Sequence, residues 1–386
     1  MFGKRTTTIS GGNIHNDKYA DEKGRLYFYD NAKFILIFLV IAAHAITPFM
    51  SNGEGQFFFL FIWRIINILH MPCLLFISGF FAKRYIRPDG SFNVQRPFTY
   101  MVYYCVAQVV FSLYEIYVLK NTITKSLLEP RASLWFLACL CWWYLLLPVI
   151  DKIEPKKMMI IAVLAGLLIG YDAKVSNFMA ISRMITHFPF FLFGYYISGD
   201  RMKELFSKKA KLWSIPIGVL SLGSVVASMY LFEKTNILKF NINGIITCAN
   251  SYFKVFNNKG INPALWFLPR VWFYLCAAGL IFCFLVWVPR RKNIFTKFGA
   301  RTLAPYILHG PLFFAYNTGT GFGWASFDWF KYEWFGWKDI AVLRLCVIPV
   351  AFILAIIFSL SPFYKPFELL GKIKVAKLLR KNEKSK

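Results

Sequence analysis

The stretch Lys33-Phe-Ile-Leu-Ile-Phe-Leu-Val-Ile-Ala-Ala-His44 is an apolar run with one ionisable residue at each end. At about 100° per residue, eleven steps make roughly three turns of an α-helix, so both side chains share one face and lie ~16 Å apart along the axis. This pattern predicts a membrane-spanning helix with Lys33 at the surface and His44 near mid-depth. Because ionisable groups inside a membrane are costly, His44 is a candidate functional residue.

The composition of the whole chain is that of a polytopic membrane protein. Of its 386 residues, 57% are hydrophobic and 19% are aromatic, which is too much apolar surface for a soluble domain of this length. The net charge of +26 comes from lysines and arginines that lie between apolar runs. Phospholipid headgroups and orientation during insertion explain that distribution. We therefore expect membrane lipids as partners and no nucleic acid.

The apolar runs predict an all-α fold, a polytopic membrane bundle of about ten transmembrane helices. We expect the spans at residues 34–50, 57–82, 98–119, 132–150, 158–171, 178–198, 212–232, 266–288, 303–319 and 340–362. With the N-terminus inside, the cytoplasmic segments hold about three times as many lysines and arginines as the outer ones, in line with the positive-inside tendency. Both termini are therefore expected in the cytoplasm.

The same pattern divides the chain into three parts. We expect a cytoplasmic N-terminal segment at 1–33, a ten-helix membrane domain at 34–362 and a basic cytoplasmic tail at 363–386. The first part has no short apolar core followed by a small-residue cleavage site, so no removable signal peptide is expected. The tail is either a basic helix lying on an anionic leaflet or a solvated end.

Four of the five histidines fall within predicted spans, namely His44, His70, His187 and His309. Four imidazoles in one bundle predict a polar interior. A neutral imidazole whose pKa is near the working pH is suited to removing a proton from an attacking hydroxyl. No pair has the i,i+4 spacing of a helical metal site, so a metal is not expected.

Basic residues cluster where the second span meets the cytoplasm. If the helix continues beyond the span, Arg84 and Arg87 share one face, and Arg96 opens the next span. Guanidinium groups bind phosphates through paired hydrogen bonds. Together with Lys33, these residues could hold the phosphates of a coenzyme A. A loop that only orients the chain during insertion would carry the same charges without a ligand.

Five ionisable residues lie in the outer halves of spans: Arg64, Glu115, Arg183, Arg270 and Arg344. Because unpaired charges in lipid are costly, we expect them to pair or to face a shared wet cavity. A cavity open to the outside and lined by arginine suits a polar or anionic acceptor such as a glycan. For the arginines at 64, 270 and 344, the alternative is that they extend to the outer headgroups.

Taken in order, the motifs resemble the acyltransferase-3 family of integral membrane O-acyltransferases, with the pattern of its fucose 4-O-acetylase-like and glucan-succinylating members. The resemblance begins with a basic residue, ten residues and a histidine, here Lys33 and His44. The motifs that follow are His70-Met-Pro72 with Leu75-Phe-Ile-Ser-Gly79, Arg84-x-x-Arg87 or else Arg96, Leu134-Trp-Phe-Leu137, Phe188-Pro-Phe-Phe-Leu-Phe-Gly194 and Tyr306-Ile-Leu-His309. Together they cover roughly residues 25 to 320.

The resemblance implies transfer of an acyl group from cytoplasmic acyl-CoA to a hydroxyl of a glycan, with His44 catalytic. We expect the plasma membrane as location and no permanently bound cofactor, with acetyl-CoA as the default donor and succinyl-CoA as the runner-up. Our candidate residues fall into three groups: His44, His70 and Arg183 for catalysis; Lys33, Arg84, Arg87 and Arg96 for the acyl donor; Glu115, Trp135, Arg64 and His309 for the acceptor.

Several alternatives are open at this point. A transporter or flippase of a lipid-linked sugar would share the wet interior, but would be favoured by an inverted repeat with broken helices, which is not evident. A structural scaffold would not need His44 at mid-depth. Within the enzyme hypothesis, transfer is either direct or passes through an acylated His44. A nucleophilic Ser78 or Cys73 would lack an evident base nearby in sequence.

Overall fold

A computed structural model describes residues 19–20, 25–50, 56–86, 91–120, 126–174, 178–231, 242–256, 260–318 and 345–374. Within these ranges the chain is helical, and its β-structure is limited to two isolated bridges, Ala20 with Leu26 and Ile86 with Phe92. The predicted all-α fold is confirmed for this part of the chain. Arg87 and Arg344 lie outside the described residues.

The structure describes fifteen α-helices. In chain order they are α1 Tyr27–Ile46, α2 Gln56–Ala82, α3 Gln95–Tyr117, α4 Trp135–Ile150, α5 Pro155–Leu168, α6 Ile181–Tyr196, α7 Gly199–Glu204, α8 Lys208–Met229, α9 Ile242–Ile246, α10 Tyr252–Phe256, α11 Leu268–Trp287, α12 Thr296–Gly299, α13 Leu303–Thr318, α14 Val347–Phe358 and α15 Ser361–Gly371.

Each of the ten predicted spans overlaps one of these helices. Among the described residues, five stretches are long and apolar enough to cross a membrane: Tyr27–Met50, Gln56–Tyr85, Ala132–Ile150, Lys208–Met229 and Pro263–Trp287. The pair α14 and α15, bent by 54° at its break, would add a sixth. The protein is therefore a membrane protein. The number ten and the cytoplasmic position of both termini stay predictions.

Two glycines bring α2 and α6 into backbone contact. A Cβ on Gly79 would lie 1.9 Å from the carbonyl oxygen of Phe191, and a Cβ on Gly194 would lie 1.9 Å from that of Phe76. Small residues allow this close approach, which is how helices pack inside membranes, where burial of apolar surface adds little. Because each glycine faces a carbonyl oxygen of the other helix, the contact fixes the position of α2 along its axis relative to α6.

Helix α1 packs against α2, α12, α13 and α14. It begins at Tyr27 rather than at Phe34, so Lys33 lies in its second turn instead of at its foot. Asn31 anchors this end, because its Nδ2 donates to the carbonyl oxygens of Pro289 at 2.8 Å and Arg291 at 3.0 Å. The helix continues without a break from Lys33 to the residue at position 44, as the sequence predicts.

The segment 233–265, between the predicted spans 212–232 and 266–288, contains two short α-helices in its described part. Residues 242–256 hold α9 and α10, and Ile245 and Tyr252 are fully buried. The hydroxyl of Tyr252 donates to the carbonyl oxygen of Leu167 at 2.8 Å. This segment thus packs onto the membrane domain as a cap, one of the roles that loops of such length commonly have.

The C-terminal helix α15 lies against α3. The hydroxyl of Tyr103 donates to the carbonyl oxygen of Phe367 at 2.9 Å, and Nε2 of Gln95 donates to that of Ile373 at 2.6 Å. Helices α1 and α15 run through the predicted domain boundaries at 33 and 362, which stay predictions. The tail beyond residue 374 lies outside the described residues.

The close crossing of α2 and α6 predicts that Gly79→Ala and Gly194→Ala each destabilise the protein by about 2–3 kcal/mol, because the added methyl group must displace a backbone carbonyl. Thermal unfolding of the purified protein in detergent measures the effect. The matched control is Gly223→Ala in α8, where a Cβ would meet nothing within 4 Å. Equal melting temperatures for all three variants would contradict the proposed contact.

Candidate active site

Four histidines converge where α1, α2, α6 and α13 meet. The rings of His44 and His309 are 5.2 Å apart between centroids. His70 lies close enough to His44, His187 and His309 for their charges to interact. These positions agree with the polar interior that the histidines predicted. Among the described residues, no three His, Cys, Asp or Glu side chains are arranged to hold a metal ion.

Three of the four imidazoles are held by backbone carbonyls. Nδ1 of His70, His187 and His309 each faces the carbonyl oxygen four residues earlier in its own helix, at 3.0 Å for His187 and 2.9 Å for His309. Because a carbonyl only accepts hydrogen bonds, Nδ1 carries the proton and Nε2 is left as the basic nitrogen. His44 makes no such bond within the described part of the chain.

His44 also differs from the other three in exposure. It is half-buried, whereas His70, His187 and His309 are 3%, 2% and 1% exposed. Nε2 of His309 has no hydrogen-bond partner among the described residues. The basic nitrogen of His309 and both nitrogens of His44 are therefore not committed to any residue that the structure describes.

Arg183 lies beside this cluster and is held by Trp135. Its guanidinium carbon is 5.1 Å from the centroid of the Trp135 ring, a cation–π distance. Its Nε donates to the carbonyl oxygen of Thr247 at 3.2 Å. The same tryptophan ring lies 5.2 Å from the ring of His187. The charge of Arg183 interacts with His44, so the two residues belong to one site.

Glu115 pairs with Arg131 and not with an arginine of a predicted span. Both side chains are buried, at 6% and 3% exposure, and form an ion pair. The backbone N–H of Arg131 donates to Oε1 of Gln108 at 3.1 Å, and Nε2 of Gln108 donates to the carbonyl oxygen of Glu129 at 2.7 Å. This network ties the segment before α4 to α3.

Arg64 and Arg270 are completely buried inside the protein. Nε of Arg64 donates to Oδ1 of Asn243 at 2.9 Å, and Nη1 of Arg270 donates to Oγ1 of Thr186 at 2.7 Å. The alternative that these two side chains extend to the outer headgroups is therefore wrong. Burial within the bundle lets each arginine meet polar atoms of neighbouring helices.

Left-handed backbone conformations of non-glycine residues concentrate near Arg183. Met179 and Ala180 have φ of 49° and 58°, and they directly precede α6. Cys248 has φ of 55°, and its carbonyl oxygen accepts a hydrogen bond of 2.9 Å from Ser182. Each such residue costs about 1–3 kcal/mol and is typically retained where a site requires the conformation. The strain lies beside the start of α6, the helix that carries Arg183 and His187.

At the predicted cytoplasmic end of α1, Lys33 shares a carboxylate with Arg25. Nζ of Lys33 lies 2.9 Å from Oδ1 of Asp30, and Nε of Arg25 lies 2.6 Å from Oδ2. Asp30 is buried, and the Lys33 side chain keeps 26% of its surface exposed. A phosphate bound by Lys33 would have to share this lysine with Asp30.

The condition under which Arg84 and Arg87 would share one helix face is not met, because α2 does not continue as far as Arg84. Helix α2 ends at Ala82, a 3₁₀ turn covers Lys83–Tyr85, and Ile86 is extended with φ −90° and ψ 119°. The sequence Pro88-Asp-Gly90 that follows disfavours a continued helix.

Both candidate arginines in the described residues are accessible. Arg84 is exposed just beyond the end of α2. Arg96 is exposed near the start of α3 and hydrogen-bonds Tyr100.

Helices of this length and hydropathy, with a histidine cluster in their interior, define an integral membrane protein whose site is suited to acid–base chemistry. Residues 26–364 match the acyltransferase domain of the acyltransferase-3 family. The match spans most of the chain, and the chain belongs to this family of membrane acyltransferases. Comparison with curated proteins and with solved structures gives no match. The predicted family is thus confirmed, and the acetylating or succinylating subtype stays a prediction.

The ion pair between Glu115 and Arg131 predicts that Glu115→Gln destabilises the protein by about 3–5 kcal/mol, because it leaves a buried arginine without a counter-charge. Replacing both partners, with Glu115→Leu and Arg131→Met, should recover much of the loss. Chemical denaturation followed by tryptophan fluorescence measures both.

The control for this pair is Arg201→Ala. It breaks an exposed ion pair with Glu204 and should change stability by less than about 1 kcal/mol. If the Glu115→Gln protein has wild-type stability but binds the acceptor weakly, the carboxylate of Glu115 binds the acceptor and does not stabilise the fold.

Proposed function

We propose that this membrane acyltransferase moves an acyl group, acetyl by default, from cytoplasmic acyl-CoA to a hydroxyl of a cell-surface or exported glycan at the plasma membrane. The observation that carries the proposal is the position of His44. Its nitrogens have no hydrogen-bond partner within the described residues. It lies beside His309 and Arg183, and it is on the same helix as Lys33.

The donor half of the reaction uses the predicted cytoplasmic end. Lys33, Arg84 and Arg96 bind the phosphates of acyl-CoA through charge-assisted hydrogen bonds, and Arg87, which lies outside the described residues, is a further candidate from the sequence. Arg84 and Arg96 are exposed there, which supports this role. The pantetheine arm then places the thioester beside His44, about three helical turns deeper.

The transfer itself is a single displacement in this proposal. The acceptor hydroxyl loses its proton to His44 as its oxygen attacks the thioester carbonyl. Arg183 stabilises the oxyanion that forms on the thioester carbonyl, and His70 helps to polarise that carbonyl. The carbon–sulfur bond then breaks, and the proton held by His44 passes to the departing thiolate. Trp135, Arg64, Glu115 and His309 are the proposed residues on the acceptor side.

His44→Ala should abolish thiol release from acetyl-CoA and transfer to acceptor, while acetyl-CoA still binds. Removal of a general base at an otherwise intact site typically costs 10²–10⁴-fold in rate. A thiol-reactive dye follows release by the purified protein, and calorimetry follows binding. Wild-type rates in the variant would exclude this role for His44. Failure of the wild-type protein to bind either acetyl-CoA or succinyl-CoA would favour a transporter of a lipid-linked sugar.

Arg84→Ala and Arg96→Ala should raise the KM for acyl-CoA about tenfold each and leave the KM for acceptor unchanged, because each removes one charge-assisted contact to phosphate. Steady-state kinetics with each substrate varied in turn provides the test. Arg201→Ala is the matched control, since Arg201 is an exposed arginine in α7. Equal changes in both constants would instead indicate a role in folding or insertion.

A further inference from the structure

Two cations beside the histidine cluster lack a carboxylate partner. Neither Arg183 nor Arg270 forms an ion pair with any residue that the structure describes. The two buried carboxylates among the described residues are engaged elsewhere, because Glu115 pairs with Arg131 and Asp30 pairs with Lys33. An isolated charge inside a membrane domain costs several kcal/mol. An anionic group of a substrate would balance these two guanidiniums.

Arg270 has hydrogen-bond donors that have no partner among the described residues. It is completely buried, and Nη1 donates to Oγ1 of Thr186 at 2.7 Å. Its Nε and Nη2 are buried and have no hydrogen-bond partner among the described residues. The guanidinium carbon lies 5.1 Å from the centroid of the Tyr252 ring, a cation–π distance. Two aligned N–H donors of an arginine match a carboxylate or a phosphate.

The two arginines belong to one layer. Arg183, Thr186 and His187 lie on one face of α6, and Thr186 contacts Arg270. The charges of both arginines act on His187 and on Cys248. Arg183 is the third residue of α6, and Arg270 is the third residue of α11. First turns of helices carry partial positive charge, so the helices strengthen the attraction for an anion.

We propose that Arg183 and Arg270 form an oxyanion-binding site next to His44, and that it recognises a carboxylate or phosphate carried by one of the two substrates. The inference rests on the proposed acyl transfer. If the donor carries the anion, it is the free carboxylate of a dicarboxylic acyl group such as succinyl. If the acceptor carries it, it is the carboxylate of a uronic acid or a sugar phosphate.

The experiment compares matched probes that differ by one anionic group. Without acceptor, thiol release is measured from succinyl-CoA and from acetyl-CoA. Separately, thermal unfolding is measured with methyl β-glucuronide, with glucose 6-phosphate and with neutral methyl β-glucoside. We expect the wild-type protein to prefer the anionic probe in one of these two arms, and that arm identifies the substrate that carries the anion.

Arg270→Met should reduce that preference about ten- to hundredfold, the amount expected for hydrogen bonds to a charged group. Arg183→Gln should reduce it as well, together with the rate of thiol release, because Arg183 also stabilises the oxyanion of the transfer step. The loss should appear in KM or in probe affinity, with thiol release from acetyl-CoA by Arg270→Met less affected. Thr186→Val removes the hydroxyl that orients Arg270 and tests the site if Arg270→Met does not fold. Arg201→Gln serves as the exposed control.

A wild-type protein with no preference for an anion in either arm would overturn the inference, and so would variants that keep the full preference. Active thiol release from acetyl-CoA in the same preparation would show that the acyl transfer itself stands. If the wild-type protein released no thiol from acetyl-CoA, that result would instead refute the proposed function.

Discussion

The backbone contact between α2 and α6 is the constraint on which the arrangement of the site depends. Gly79 and Gly194 let the two helices touch at their carbonyl oxygens, so neither helix can slide without a clash. The histidines at 70 and 187 lie two to three turns along from these glycines, and their relative height follows from the crossing. Since α6 also carries Arg183, this contact sets the position of the cation relative to His70.

Much of the fold was predictable because apolar runs and their lengths are local properties of the sequence. All ten predicted spans coincide with helices, and the spacing of Lys33 and His44 on a continuous helix was correct. The family was also predictable, since its motifs keep their order along the chain. The number of membrane-spanning helices and the orientation of the chain are harder to predict from the sequence, because they depend on how the bundle lies in a bilayer.

The pairing of charges could not be predicted, because it depends on which side chains meet across helices. Arg131 lies in a predicted outer loop, and only the packing of α3 against α4 brings it to Glu115. The pairing of Asp30 with Lys33 was easier to predict, since Asp30 precedes Lys33 by three residues on the same helix. The end of α2 at Ala82 was signalled by the proline and glycine that follow at positions 88 and 90.

The backbone bonds to three imidazoles have a consequence for the membrane in which the protein sits. A row of imidazoles that accept a proton on one nitrogen and release it from the other can conduct protons. His70, His187 and His309 each commit Nδ1 to a carbonyl, so none of them can complete that exchange without losing its bond. His44 alone retains both nitrogens. The cluster can thus hold and transfer a proton locally without forming a continuous proton path through the bilayer.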